Sequence, residues 1–377
     1  MKRNYERRPG NILALTAVLM IVLIAFVALG VDVGYLYTVR NELQRSADAA
    51  AIAAAWELID RDGNAMNSNA KTLSTSARGM AVQYAGFNKV GAESPLLATD
   101  DVNVGYMANP SDPNEDLMPT PSGLLPNAVF VRVQRTSVQN GQIPLFFARM
   151  LGFESTAASA DATAALLRGF EGFRTPADGS NLGILPYALD VETWEDLLAS
   201  GTDNYCYNPD TKSVTVGCDN IKECNLFPQG TGSPGNRGTI DIGSSNNSTA
   251  DIARQILDGI TPADMAYHGN ELSFDDAGEI KLYGDTGISA GVKDELTSII
   301  GDPKIIPIFS QVEGPGNNAE YTIVKWVGVR VMGVKLTGSM ASKHVTIQPC
   351  NVVSKGGIYN PGATGSQHIY SPVWLVR

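Results

Sequence analysis

Residues 12–31 read ILALTAVLMIVLIAFVALGV, twenty positions without a charge, a proline, an asparagine or a glutamine. As a helix this run reaches ~30 Å, the thickness of a bilayer's hydrocarbon core. It extends from Ile12 through Leu19 and Phe26 to Val31. Lys2, Arg3, Arg7 and Arg8 precede it with Glu6 as the single acid, and the next basic residue is Arg40. The positive-inside bias then places the N-terminus in the cytoplasm and everything after Val31 beyond the membrane. A cleaved secretory signal fits less well, because its apolar region runs ~7–15 residues with a small-residue cut site close behind. Here Asp32, Tyr35, Tyr37 and Arg40 follow the span, and the alanine-rich run at 49–55 comes too late.

The pattern predicts that the helix continues. Between 32 and 58 there is no proline, and Gly34 is the only glycine. Leu36, Val39, Leu43, Ala47, Ala50, Ala54 and Leu58 recur at a period of ~3.67, an apolar stripe with Asn41, Gln44, Arg45 and Asp48 off it. The stripe is large at first and then small, so its alanines admit close approach by a helix or a sheet. Gly30 and Gly34 form a G-x-x-x-G at the membrane exit, a pattern that seats partner helices in membranes. Gly63, after Asp60, Arg61 and Asp62, is the expected end signal. Asp32 needs headgroup water or a partner cation at this depth. A charge at Ala50 or Ala54 is expected to disrupt packing, and Gln44→Glu to be nearly silent.

These residues resemble a known family. The string RRPGNILALTAVLMIVLIAFVALGVDVGYLYTVRNELQRSADAAAIAAA is similar to the N-terminal segment of Flp pilus-assembly TadE/TadG-like proteins. The resemblance rests on the basic residues before Gly10-Asn11, the apolar span, residues 31–37 (VDVGYLY), Leu43-Gln44 and the alanine run from Ala47, and it covers about residues 8–56. A weaker echo at 144–166 (PLFFARMLGFESTAASADATAAL) is similar to the segment that closes the first exported module of TadG-like chains. The resemblance implies a bacterial inner-membrane protein, single-pass, that works with pilins or other pilus-assembly components and is not an enzyme. Prepilins of this kind are cut after a glycine and carry a glutamate five residues into the mature chain. Counted from Gly10, that place is Leu15, and Glu6 lies upstream, so no such processing is expected.

Composition sets outer limits. The 377 residues are 44% hydrophobic, enough for a sizeable core, and carry a net charge of −11. Without the basic leader, 24 basic and 38 acidic residues remain, a charge of −14. That balance argues against a nucleic-acid surface and against docking on anionic lipid. The organisation expected is a leader at 1–11, the long helix at 12–62, a small α+β module at 63–168, a Gly/Pro linker at 169–182, and a second α+β module at 183–377 ending in an antiparallel sheet. In the first module, Met66, Leu73, Met80 and Tyr84 give residues 70–87 a helical face, 101–106 and 128–136 alternate like strands, and 144–151 reads as a short amphipathic helix. Residues 155–167 are read as a strand, and five prolines make 109–126 a loop. In the second module, helices are expected at 191–199, 248–260 and 292–300, and strands from Lys304 onward.

Cys206, Cys218, Cys224 and Cys350 are the cysteines. In an exported domain an even number suggests two disulfides, with three pairings open and at least one bridge pinning the 202–235 loop to the sheet. Zinc is the rival, although no C-x2-C pair is present. His268, His344 and His368 sit in no H-E-x-x-H and serve no G-x-S-x-G, so no catalytic residue and no cofactor is expected. Residues 336–340 (LTGSM) resemble the tail of a metal-dependent adhesion motif, but Lys335 stands where an aspartate is needed and only 37 residues follow. The acidic clusters Asp100, Asp101, Asn103 and Asp275, Asp276, Glu279 are read as solvated loops rather than Ca²⁺ sites. Two functions remain: a structural role in pilus assembly, or a membrane-anchored adhesin or ligand-binding envelope protein.

Overall fold

In a computed structural model the span and its continuation form one element, α1, Asn11–Trp56, 46 residues long. The structure describes residues 11–59, 70–112, 114–227, 237–243, 248–285, 290–314, 319–339, 342–360 and 363–377. The basic leader, the end signal at Gly63 and Met66 lie outside them. Every described side chain from 12 to 31 is exposed except Ala28, and the character of α1 changes at Asp32. Beyond it, Val39, Leu43, Ala47, Ala50, Ala51, Ala54, Ala55 and Leu58 are fully or almost fully buried.

The buried half of α1 packs between α2 (Ala70–Phe87) and a four-stranded antiparallel sheet. The sheet comprises β1 (Val102–Gly105), β2 (Ala128–Arg135), then β5 (Ala158–Ala165) and a strand from the far end of the chain. Between β2 and β5 a two-stranded pair, β3 (Ile143–Pro144) with β4 (Ser155–Thr156), carries a 3-10 turn, Ala148–Leu151. Only this turn remains of the amphipathic helix expected at 144–151, because Pro144 is drawn into β3. The face α2 buries is Leu73, Ala77, Ala81 and Ala85, while Met80 is half-buried and Tyr84 exposed. Small residues win that face because α1 opposes it with alanines, and the helices come close enough for Ser46 Oγ to donate to the Ala85 carbonyl at 3.2 Å.

Residues 169–182, expected as a linker, hold β6 (Phe170–Arg174), the middle strand of a three-stranded sheet. Phe170 and Phe173 are buried, and a Cβ on Gly172 would lie 2.2 Å from the Leu272 carbonyl oxygen. The glycine there serves close strand approach rather than flexibility. Next come β7 (Tyr187–Asp190) and α3 (Val191–Ser200), whose first turn is capped by Asp190 accepting from the Thr193 amide at 2.8 Å. A hairpin of β8 (Tyr205–Asn208) and β9 (Ser213–Val216) leads to β10 (Cys224–Phe227) and β11 (Arg237–Ile240). Helix α4 (Thr249–Asp258) is capped by Ser248, and a short helix at Lys293–Ser298 stands where 292–300 was expected. The strands β12 (Glu271–Ser273), β13 (Ile280–Asp285), β14 (Pro303–Glu313), β15 (Ala319–Lys335) and β16 (His344–Pro349) complete the body.

The antiparallel sheet expected after Lys304 is present as β14–β15–β16, but it belongs to a larger mixed system. The 17-residue β15 pairs with β13 and β16 along one side and with β14 along the other. The order β15–β13–β11–β7–β14 closes back on β15, with β7 and β14 parallel. Buried Ala188, Ile240, Leu282, Phe309, Tyr321 and Ile323 belong to one core cluster spanning these strands.

The two modules are not consecutive in the chain. The strand Trp374–Leu375 pairs antiparallel with β5, and Arg377 O accepts from the Thr163 amide at 2.6 Å. The first module therefore draws its fourth strand from residues assigned by sequence to the second. Ending the chain after Pro372 removes the acceptor of the Thr163 amide. Hydrogen exchange there is expected to accelerate at least about tenfold, or ~1.4 kcal/mol. Unchanged protection at Thr163 would contradict the pairing.

Candidate functional site

Three polar side chains fix the buried half of α1 to three neighbours. Glu42 Oε2 accepts from the Gly91 amide at 2.7 Å, Gln44 Nε2 donates to the Asp161 carbonyl at 3.1 Å, and Ser46 bonds α2. At the end of the helix, Arg168 Nη2 donates to the carbonyls of Leu58 (3.2 Å) and Pro126 (2.9 Å), and its guanidinium lies 5.4 Å from the Tyr370 ring centroid. A cation at a helix C-terminus is favoured by the macrodipole. Burial holds the Arg168 pKa below its ordinary value, with Tyr370 and Tyr106 acting weakly against it. The apolar contacts carry most of the attachment, since each fully buried Leu or Val is worth roughly 1.5–3 kcal/mol.

Asp32 is the hinge between the two environments. It is 3% exposed, and among the described residues its partners are backbone amides. Its Oδ1 accepts from the Phe146 amide (2.8 Å) and its Oδ2 from the Ala148 amide (2.7 Å), while the Phe147 amide lies 3.0 Å from Oδ2 and 3.3 Å from Oδ1. Charge-assisted bonds to backbone N–H groups are about twice as strong as neutral ones. The Tyr35 and Phe146 rings meet edge to face at 5.2 Å beside it. The sequence offered one signal for this role: Asp32 is the only charged residue between Arg8 and Arg40.

The remaining expected residues are placed as follows. Leu43, Ala47, Ala50 and Ala54 face the first-module core. Gly30 and Gly34 face open space: a Cβ on either would have no heavy atom within 4 Å beyond its own helix backbone. Ile12, Leu19, Phe26 and Val31 are exposed apolar side chains. His268, His344 and His368 are engaged separately, by the Gly243 amide, the Ser342 carbonyl and the Asn351 side chain. Asp101 spends its carboxylate on the Ala98 amide and on Gln134 and Gln139, and Asp275 on the amides of Ala277 and Glu279. Among the described residues, no group of three or more His, Cys, Asp and Glu is placed to hold a metal ion. A cavity of about 440 Å³ at the junction of the modules is lined by Tyr106, Arg168, Tyr359, His368 and Tyr370 among others.

No disulfide joins Cys206, Cys218, Cys224 and Cys350, against the expectation of two. Strand register explains it for the pair Cys224 and Cys350. Cys224 stands opposite Ile347, and Cys350 lies three residues further on, ~10 Å along the strand. A disulfide needs Cα atoms within ~7 Å. Cys206 lies in β8 opposite Thr215, and Cys218 is exposed. Burial pushes the Cys350 thiol pKa up, and the neighbouring Arg330 only partly offsets that.

Comparison with known proteins adds sequence evidence for the N-terminal part alone. Residues 10–57 match the family model of TadE/G-like Flp pilus-assembly proteins, and residues 53–164 match that of Tad-like Flp pilus-assembly segments. The second match ends within β5, so the matched region is α1, α2 and the first-module sheet up to that strand. No curated protein and no solved structure matches the chain.

Ala50→Glu and Ala54→Glu each bury an unpaired carboxylate and are expected to cost at least ~3 kcal/mol. The Gln44→Glu control is not silent here, because Gln44 donates to the Asp48 carboxylate and the Asp161 carbonyl. The exposed Asn41 is the proper control, and Asn41→Glu is expected to stay within ~0.5 kcal/mol. Thermal unfolding of the full chain in lipid nanodiscs compares them, and equal losses in all variants would remove the packing face. In maleimide labelling of the folded protein, Cys218 is expected to react first and Cys350 at least about a hundredfold more slowly. Comparable rates at the two would contradict their environments.

Proposed function

We propose that this chain, whose residues 10–164 match Tad-type Flp pilus-assembly segments, is a single-pass inner-membrane scaffold of a tight-adherence pilus system. Residues 1–11 lie in the cytoplasm and both modules lie outside it. The role is structural rather than catalytic, with no cofactor. The observation that carries this reading is the continuity of α1. One unbroken helix is apolar and lipid-compatible in its first half and forms the core of a folded module in its second. The module is thereby held in a fixed pose at the membrane surface, which suits a part that must present a surface to assembling pilins. The basic residues before the span support the orientation.

Deleting the gene in a host that makes Flp pili, then restoring it, tests the role. Loss of pili on deletion, recovery with the intact chain, and co-purification with the secretion ATPase or prepilin peptidase are expected. Unchanged pili together with lost attachment to surfaces would move the protein to the anchored-adhesin class.

A further inference from the structure

We propose that the segment Leu145–Phe153 is a second membrane-embedded element, a wedge that enters the acyl region of the outward-facing leaflet beside α1. The inference rests on the reading of α1 as a membrane anchor.

The segment reads LFFARMLGF. Phe146, Phe147, Met150, Leu151 and Phe153 are 54%, 42%, 85%, 80% and 65% exposed, and Leu145 alone of its large apolar residues is buried. Five large apolar side chains in eight residues are costly in water, and a patch of this kind marks an interaction surface. Its position names the partner. Phe147 borders an apolar groove lined by Met20, Leu23, Ile24, Val27 and Ala28 of the span. Ala28 is the one described span residue that is not fully exposed, and it lies ~5 Å inside the end of the 12–31 run. The exposed surface of the segment is thus continuous with the lipid-facing surface of α1, at the depth where interfacial elements bury their apolar side chains, roughly 5–10 Å.

Non-helical backbone can enter hydrocarbon only when its polar groups are satisfied within the protein. Here they largely are. The Leu145 amide donates to the Glu154 carbonyl, those of Phe146, Phe147 and Ala148 donate to Asp32, and those of Met150, Gly152 and Phe153 donate to carbonyls inside the segment. The burial of Asp32 at the edge of the span is explained on the same terms: its carboxylate satisfies the three amides that the wedge would otherwise carry into lipid. Arg149, exposed within the segment, can extend its guanidinium to the phosphate level.

The test uses the full chain in nanodiscs of phosphatidylcholine, with a benzophenone amino acid installed singly at Leu151, at Leu23 as the span control, or at Val216 as an exposed position in the second module. After irradiation, lipid adducts at Leu151 are expected within a few-fold of those at Leu23 and at least about tenfold above Val216. Adducts at Leu23 with Leu151 at the Val216 level would overturn the wedge and leave the anchor standing. Failure at both Leu23 and Leu151 would overturn the anchor, and the wedge with it. Crosslinks from Leu151 to a second protein copy, in place of lipid, would reassign the surface to self-association.

Discussion

A single helix that must satisfy two solvents governs this molecule. From Ile12 to Val31, α1 faces outward on nearly every side with apolar groups, and from Val39 to Leu58 it is the central member of a folded module. No glycine or proline breaks the two regimes apart except Gly34. Any tilt of the span is passed directly to the sheet packed on its second half. Much of the first module's architecture serves this constraint. Alanines on α1 and α2 permit close contact, the sheet packs on a second face of α1, and Glu42, Gln44 and Ser46 fix rotation about the helix axis.

The point of change is a carboxylate. An aspartate at the end of an apolar span is unfavourable unless solvated or paired, and Asp32 resolves this with backbone amides instead of a cation. The same bonds fix the 146–148 turn against the helix. The turn's aromatic and aliphatic side chains are thereby held at the level of the span. One side chain thus joins the apolar span, the module and the exposed apolar turn.

The helix was legible in the sequence because its signals are local: an uninterrupted apolar run and then a 3.67-residue stripe. Of the stripe, Val39 to Leu58 are buried and Leu36 is half-buried, and Asp190 and Ser248 cap their helices from the position just before the first turn. What stayed hidden is long-range. Nothing near Trp374 in sequence points to β5, more than two hundred residues earlier. The glycines at 169–179 suggested a flexible connection, whereas Gly172 permits the approach of β12. Cysteine counting implied bridges that strand register does not permit between Cys224 and Cys350. The Asp32 site was half legible: the lone charge was visible, but its amide partners, 114 to 116 residues away, were not.

The return of the strand Trp374–Leu375 to β5 also governs the order in which the molecule is completed. Chains fold from the N-terminus as they are made, a domain at a time. Here the first module contains the anchor and the earliest residues, yet its sheet lacks an edge strand until the C-terminal residues arrive. Throughout synthesis of the second module, β5 presents an unpaired edge, the kind of edge that invites mispairing with other strands. The module begun first is finished only after the second has been made.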